Sequence, residues 1–232
     1  MRRGFKCRND ILQRLKERYD QTVLTIYEGD YLKAVEHFEE IAEGTLRNEL
    51  SFFYSKQRSR DQAWKTCKGT VYEYAVFRCI QQEIEGTDKR ALFGDEALQQ
   101  HRDQIVIHNW SDIFPDADIL ILKEDEVVAI VSCKTSLRER LTETAFWKRE
   151  LERFDQDIKL IFVTTDKDDE LRTDTNRYIL LHVVDCTFVT DPEKYKRLLE
   201  AYTRRYGKRR DFYELLARVK PIADIGHFLA RL

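Results

Sequence analysis

Two short apolar runs, Ile119–Leu122 and Val127–Val131, flank the polar tetrapeptide Lys123-Glu124-Asp125-Glu126. Runs this short, rich in Val and Ile and joined by a tight polar connection, predict a β-hairpin. Upstream the period is helical. Across residues 6–85 apolar side chains recur as Ile11, Leu12, Leu15, Tyr19, then Leu32, Val35, Phe38, Ile41, then Leu46, Leu50, Tyr54, with Gly29-Asp30 and Gly44 as expected breaks. Residues 62–85 form the most apolar of these helices, carrying Val71, Tyr74, Ala75, Phe77, Cys79, Ile80 and Ile84. Residues 86–111 are polar, with one short strand candidate, Gln104–His108. After the hairpin, Ser136-x-x-Glu139 reads as a capping box that opens a helix running to about Phe154. Leu137, Leu141, Thr144, Ala145 and Leu151 share one face of it. Lys159–Thr164 and Tyr178–Val184 are the next strand candidates, and Pro192–Tyr206 and Asp211–Val219 the last helices. This order predicts an α/β fold with a mixed central sheet flanked by helices. Residues 1–60 form an N-terminal helical subdomain, and residues 61–232 the main domain.

Composition narrows the picture. Apolar residues are 42% of the 232, enough for a core, while the 35% charged residues imply a heavily solvated surface. A formal net charge of −2 gives no global attraction to polyanions, so any nucleic-acid face must come from local clustering. The five cysteines form no CxxC or Cys/His spacing, so buried thiols in a reducing cytoplasm are expected over disulfides or zinc. No run reaches membrane-spanning length, no signal-peptide core is present, and no glycine-rich phosphate loop calls for a nucleotide cofactor. The five histidines are scattered, and His182 is expected inside a strand and in the core.

The chemistry concentrates at one end of the hairpin. Asp116 and Asp118 stand at the mouth of its first strand, and antiparallel pairing returns Lys134 to the level of Asp118. Carboxylates and an ammonium so placed can hold a divalent cation and a water beside a phosphate. Glu73, on the apolar helix upstream, must find a cation or point outward; Arg78 and Lys68 are the ordinary partners.

Pro115-Asp116-Ala117-Asp118, the apolar strand, the second strand ending in Ser132-Cys133-Lys134 and the upstream Glu73 together resemble the PD-(D/E)xK nuclease superfamily. The tail from Lys134 to Arg140 (KTSLRER) resembles type II restriction endonucleases that recognise CCGG- or CCNGG-type sites. The resemblance covers about residues 62–164. It implies a restriction-endonuclease-like fold and Mg²⁺-dependent phosphodiester hydrolysis. Asp118 and a helix glutamate would be metal ligands, Lys134 would stand at the phosphate, and Glu73 would orient a metal-bound water or complete a second site. This chain departs from the usual pattern at Ser132, where many relatives carry the acid. The group it resembles moves that acid to the following helix, slightly over a dozen residues past the lysine, where this chain has Trp147. Glu143 and Glu150 both flank that place, and Glu143, nearer the helix start, is the expected ligand. Asp116 matches the literal Pro-Asp pair, but Asp118 directly precedes the strand and is the expected metal residue of the two.

The resemblance further implies that Arg138, Glu139 and Arg140 read bases, since arginine bonds bidentately to guanine and glutamate accepts from cytosine. Capping of Ser136 competes for Glu139, and the arginines could serve phosphates instead. A double-strand cut at a G·C-containing palindrome of double-stranded DNA implies a homodimer. A repair or junction nuclease of the same fold would lack a base-reading triplet, and a non-catalytic DNA-binding module would not need Glu73, Asp118 and Lys134 together. The basic arm Arg2, Arg3, Lys6, Arg8 and the Arg204–Arg210 cluster are further candidates for phosphate contact, or else solvated surface.

Overall fold

The computed structural model describes residues 7–108, 112–136, 140–153 and 157–232, with Glu96, Ala97, Arg140 and Glu143 described by their backbone alone. The N-terminal part packs α1 (Asn9–Ile26), α2 (Tyr31–Glu36), α3 (Phe38–Ile41) and α4 (Arg47–Glu49) against the long α5 (Gln57–Glu83). Gly29, at φ 83°, takes the left-handed turn after α1, and Asp30 caps α2 by accepting from the Lys33 N–H. Gly44 does not break the chain. It lies in a π-turn, Ala42–Leu46, where the helix admits an extra residue and continues.

The sheet follows: β1 (Lys89–Phe93), then α6 (Asp95–Gln99) and α7 (Arg102–Ile105), then β2 (Ile119–Lys123) and β3 (Glu126–Lys134). After α8 (Arg140–Arg153) come β4 (Lys159–Thr164), α9 (Asp174–His182), β5 (Cys186–Val189), α10 (Pro192–Tyr206), α11 (Phe212–Arg218), β6 (Val219–Pro221) and α12 (Ile225–Leu229). The six strands lie in sequence order; β1 to β3 pair antiparallel, and β3 to β6 parallel. This is the expected mixed sheet. Glu124 and Asp125, both at positive φ, make the two-residue turn of the hairpin.

The pleat of β3 sorts its side chains. Ala129, Val131 and Cys133 face α5 and join a core that reaches from Ile11, Leu15 and Tyr19 to Ile119 and Ile121. The helical N-terminal part and the sheet therefore share one hydrophobic core through α5. On the opposite face Ile130 packs with Leu120, Leu122, Leu151 of α8 and Leu160. No helix among the described residues is long and apolar enough to cross a membrane.

Several expectations need correction. Tyr178–Val184 is not a strand: Thr173 caps α9 by accepting from the Asn176 N–H, and Ile179, Leu180 and Leu181 are buried on helical turns. A seven-residue apolar run has no periodicity that separates a buried strand from a buried helix. The strand that follows β4 is instead Cys186–Val189, and His182 is exposed, its ring tilted against Tyr178 rather than in the core. Gln104–His108 splits between α7 and a single bridge, Ile107 to Ile113. The capping box is only half described. The Ser136 hydroxyl reaches Asp168 Oδ2 at 2.9 Å, while Glu139 lies outside the described residues. Finally, Cys7 and Cys67 form a disulfide, against the expectation of thiols throughout; Cys79, Cys133 and Cys186 are free and buried.

Candidate active site

β2 begins one residue after Asp118, whose N–H donates to Val131 O at 3.1 Å and so belongs to the hairpin ladder. That pairing fixes the carboxylate at the end of β3. Asp118 Oδ2 accepts from the Cys133 N–H at 2.7 Å and from Lys134 Nζ at 2.8 Å. Asp116 Oδ2 stands 3.3 Å from the same ammonium. The Lys134 and Asp118 side chains are 5% and 10% exposed, while Asp116, on the approach loop, is 53% exposed. Lys134 is thus not a solvated strand-end lysine.

Burial pushes the Asp118 carboxyl above its ordinary range; Lys134 pulls the other way, and Asp116 adds to the rise. Burial alone would lower the Lys134 ammonium. The fields of Asp118 and Asp116, the Asp118 hydrogen bond and the field of Glu73 outweigh it and hold Lys134 above its ordinary value. Lys134 is therefore a permanent positive charge at neutral pH, suited to a phosphate oxygen rather than to proton abstraction.

Glu73 comes from the middle of α5. Arg78 pairs with Asp20 at 2.8 Å, and Lys68 with Glu39 and Glu43 at 2.6 and 2.9 Å. Glu73 and Lys134 line one cleft of about 910 Å³, walled by Arg47 and Glu43 of the N-terminal part, by Lys65 and Gly69 of α5, and by Ser136 and Lys167 at the sheet end. Glu43 feels burial as an upward push, but the Lys68, Trp64 and Arg47 donors overcome it and bring the carboxyl down to about 2. The N-terminal part thus meets α5 through charged hydrogen bonds as well as apolar packing.

The remaining site residues lie along α8. Arg140 opens the helix and Glu143 follows within its first turn. The side chains of Arg140 and Glu143 lie outside the described residues, as do Arg138 and Glu139 altogether. Glu150 is about 10 Å farther along the axis than Glu143 at 1.5 Å per residue. Its neighbour Leu151 packs against Ile130, Leu122 and Val127, toward the turn end of the hairpin, and Glu150 itself faces Arg153 at 3.7 Å. The start of α8, not its last turns, is near the strand ends.

Sequence reasoning treated Ser132 only as the place of a missing acid. In the structure it is 2% exposed, and its hydroxyl has no hydrogen-bond partner among the described residues. A hydroxyl in the otherwise apolar run Val127–Cys133 was the signal. Asp116 and Asp118 offer hard carboxylate oxygens at the end of β3, on either side of the Lys134 ammonium. Among the described residues no three carboxylate, imidazole or thiolate groups form a closed metal cage. An open set of one or two carboxylates fits Mg²⁺, which retains several waters and takes the rest of its ligands from substrate phosphate.

A family model described as "BsaWI restriction endonuclease type 2" matches residues 97–214, just over half of the 232 residues, from before the hairpin through Lys134, α8, β4 and β5. The chain belongs to this BsaWI restriction endonuclease family. The putative type II restriction enzyme MjaVIP of Methanocaldococcus jannaschii is 27% identical over 169 residues, 62% of this chain and 75% of that one. The probable type II restriction enzyme HpyAORF263P of Helicobacter pylori is 29% identical over 102 residues, 40% of this chain and 52% of that one. Among solved structures, the restriction endonuclease PspGI–substrate DNA complex superposes with a TM-score of 0.58 at 16% identity, covering 96% of this chain and 91% of that one. The AgeI–DNA complex gives 0.53 at 14% identity, covering 81% of each chain. These two share the fold. As a member of the BsaWI family the chain is a type II restriction endonuclease, a site-specific deoxyribonuclease.

Proposed function

We propose that this enzyme is a Mg²⁺-dependent homodimer that hydrolyses both strands of double-stranded DNA at a palindrome containing G·C pairs. The observation that carries the chemistry is the group at the hairpin end, where a buried Lys134 faces Asp118 and Asp116 with Glu73 in its field. Asp118 and Glu143 are the proposed metal carboxylates, with Glu73 orienting a metal-bound water or completing a second site. When bound, Mg²⁺ supplies Lewis-acid stabilisation of the phosphate and an acidified water. Lys134 neutralises charge that builds on the phosphate oxygens, and its fixed geometry needs no reorganisation. Asp118, backed by the Cys133 N–H, is held at one position of the strand mouth. Residues 1–60 form a helical subdomain that walls the cleft, and residues 61–232 carry the nuclease chemistry. Arg138, Glu139 and Arg140 are the proposed base readers. The fold relatives bound to DNA support double-stranded DNA as partner.

A plasmid digest with Mg²⁺ or with EDTA tests the reading. Discrete Mg²⁺-dependent fragments, with G·C pairs at every sequenced end, are expected. A smear would point to a repair-type nuclease, and cutting in EDTA would reject the metal mechanism.

A further inference from the structure

Ser132 stands in β3 between Val131 and Cys133, the only hydroxyl in the run Val127–Cys133. It is 2% exposed and its Oγ has no hydrogen-bond partner among the described residues. A buried hydroxyl left without a bond is destabilising, because it has given up water and gained no partner. Alanine would fit the same strand without that cost, as Ala129 does three residues earlier.

The register says what the hydroxyl faces. Ile119 pairs with Val131, and Asp118, one residue before β2, accepts through Oδ2 from the Cys133 N–H and from Lys134 Nζ, so its carboxylate stands at the two residues that follow Ser132 on β3. Lys134, two residues on from Ser132, shares its face of the strand. On the other side Ser132 pairs with Phe162 of β4, whose ring offers no hydrogen bond. Phe162 in turn packs with Leu141 and Ala145, so the first turns of α8 cover this spot. A polar atom that no described residue satisfies thus lies on the face of β3 that carries Lys134, with Leu141 and Ala145 of α8 packed on the neighbouring Phe162.

We infer that Ser132 is a positioning residue of the metal site, its hydroxyl holding a water of the cation's hydration shell beside Asp118. This rests on the metal-site reading above and adds to it a role for the residue that replaces the usual acid. A hydroxyl suits the task because it can accept from a cation-bound water and donate to a carboxylate at once. Mg²⁺ and Mn²⁺ bound by few protein ligands keep waters that need such partners.

The test uses the full chain with Ser132→Ala, Ser132→Thr and Asp118→Ala. Mn²⁺ binding is followed by electron paramagnetic resonance, and thermal unfolding is measured in EDTA. Ser132→Ala should unfold in EDTA at the wild-type temperature or above, because an unsatisfied group is removed. Its Mn²⁺ affinity should fall about tenfold, the low end for loss of an outer hydrogen-bond partner. Ser132→Thr, which keeps the hydroxyl, should bind within about threefold of wild type. Unchanged Mn²⁺ affinity in Ser132→Ala, with binding lost in Asp118→Ala, overturns the role of Ser132 alone. Loss of stability in EDTA with unchanged affinity likewise makes Ser132 purely structural and overturns it. Wild-type Mn²⁺ binding by Asp118→Ala would overturn the metal site itself.

Discussion

Lys134 Nζ and the Cys133 N–H both donate to one oxygen, Oδ2 of Asp118, at 2.8 and 2.7 Å. A single carboxylate oxygen therefore locks the two ends of the hairpin together at the depth where Asp118 is almost fully buried. Removing one partner of a buried pair strands the other, at a cost of about 3–5 kcal/mol. Isosteric changes are the sounder probes. Asp118→Asn and Lys134→Met should each cut DNA at least about a hundredfold more slowly, the scale of losing one charge-stabilising group, with circular dichroism unchanged. Asp116→Asn, at the exposed end of the triad, should be milder. If Asp116→Asn is dead and Asp118→Asn is active, the metal residue is Asp116.

The helix carboxylate follows from where α8 begins. Glu143 lies in its first turn and Glu150 near its other end, beside Leu151 and the turn side of the hairpin. Glu143→Ala should therefore cleave as poorly as Asp118→Asn, and Glu150→Ala within about threefold of wild type, the size of a surface change. Single-turnover cleavage at saturating enzyme decides between them, and a dead Glu150→Ala would move the ligand down the helix.

The hairpin, α5 and α10 were legible because their signals are local: two apolar runs about a polar tetrapeptide, a helical period in α5, and at α10 the Asp191 cap before Pro192. The meeting of Asp118 and Lys134 was legible too, since antiparallel pairing brings the two ends together. Other parts depended on tertiary context. β1 begins Lys-Arg, a polar edge strand that sequence alone leaves as loop, and β6 is three residues ending in Pro221 at the sheet edge. Tyr178–Val184 became a helix because packing, not propensity, decided its period. The Cys7–Cys67 bond joins residues 60 apart, and no spacing rule announces it. The Ser132 hydroxyl was visible as a residue, but its want of a partner is a property of the folded sheet.

That disulfide makes its own prediction. It ties the start of α1 to α5 across a separation of 60 residues. Closing a loop of that length in the unfolded chain contributes about 4 kcal/mol in the chain-entropy model. For a domain of this size the loss should lower Tm by on the order of 10 °C. Calorimetry with and without dithiothreitol measures it, with Cys67→Ser as the control that should no longer respond to reductant. A wild-type Tm indifferent to reductant would remove the bond from the stability account.

Asp166 predicts a pH dependence. It is buried at the end of β4, and burial drives its carboxyl up to about 6, although the Leu171 N–H donates to it at 3.1 Å. The folded protein therefore holds this proton more tightly than the unfolded chain, whose value lies near 3.8. The stability it contributes is complete below that unfolded value and is lost as pH rises through about 6. The full swing is at most about 3 kcal/mol. Asp166→Asn, which cannot ionise and still accepts from Leu171, should match wild type near pH 4 and exceed it in stability at pH 8. Urea denaturation at both pH values gives the comparison, and an equal gap at the two would reject burial as the cause.

Recognition is the remaining prediction, and it combines symmetry with the start of α8. A double-strand cut at one site needs two active centres, and a palindrome is most simply read by a two-fold dimer. The protein should elute as a dimer in light-scattering chromatography, each subunit presenting Arg138, Glu139 and Arg140 to one half-site. Arg140 opens α8 about six residues after Lys134, so base contacts there would fall next to the scissile phosphate. Loss of one bidentate arginine–guanine contact costs about 1–3 kcal/mol at a single base pair, whereas loss of a phosphate contact weakens all sequences alike. Arg138→Ala and Arg140→Ala should therefore be titrated against the cognate site and a panel of single-base variants, at fixed salt because the non-specific part depends on it. Selective loss on the cognate site is expected. Uniform weakening across the panel would make the arginines phosphate clamps, and a cognate site without adjacent G·C pairs would exclude the triplet as a reader of CCGG-type sequences while leaving the chemistry proposed for Asp118 and Lys134 untouched.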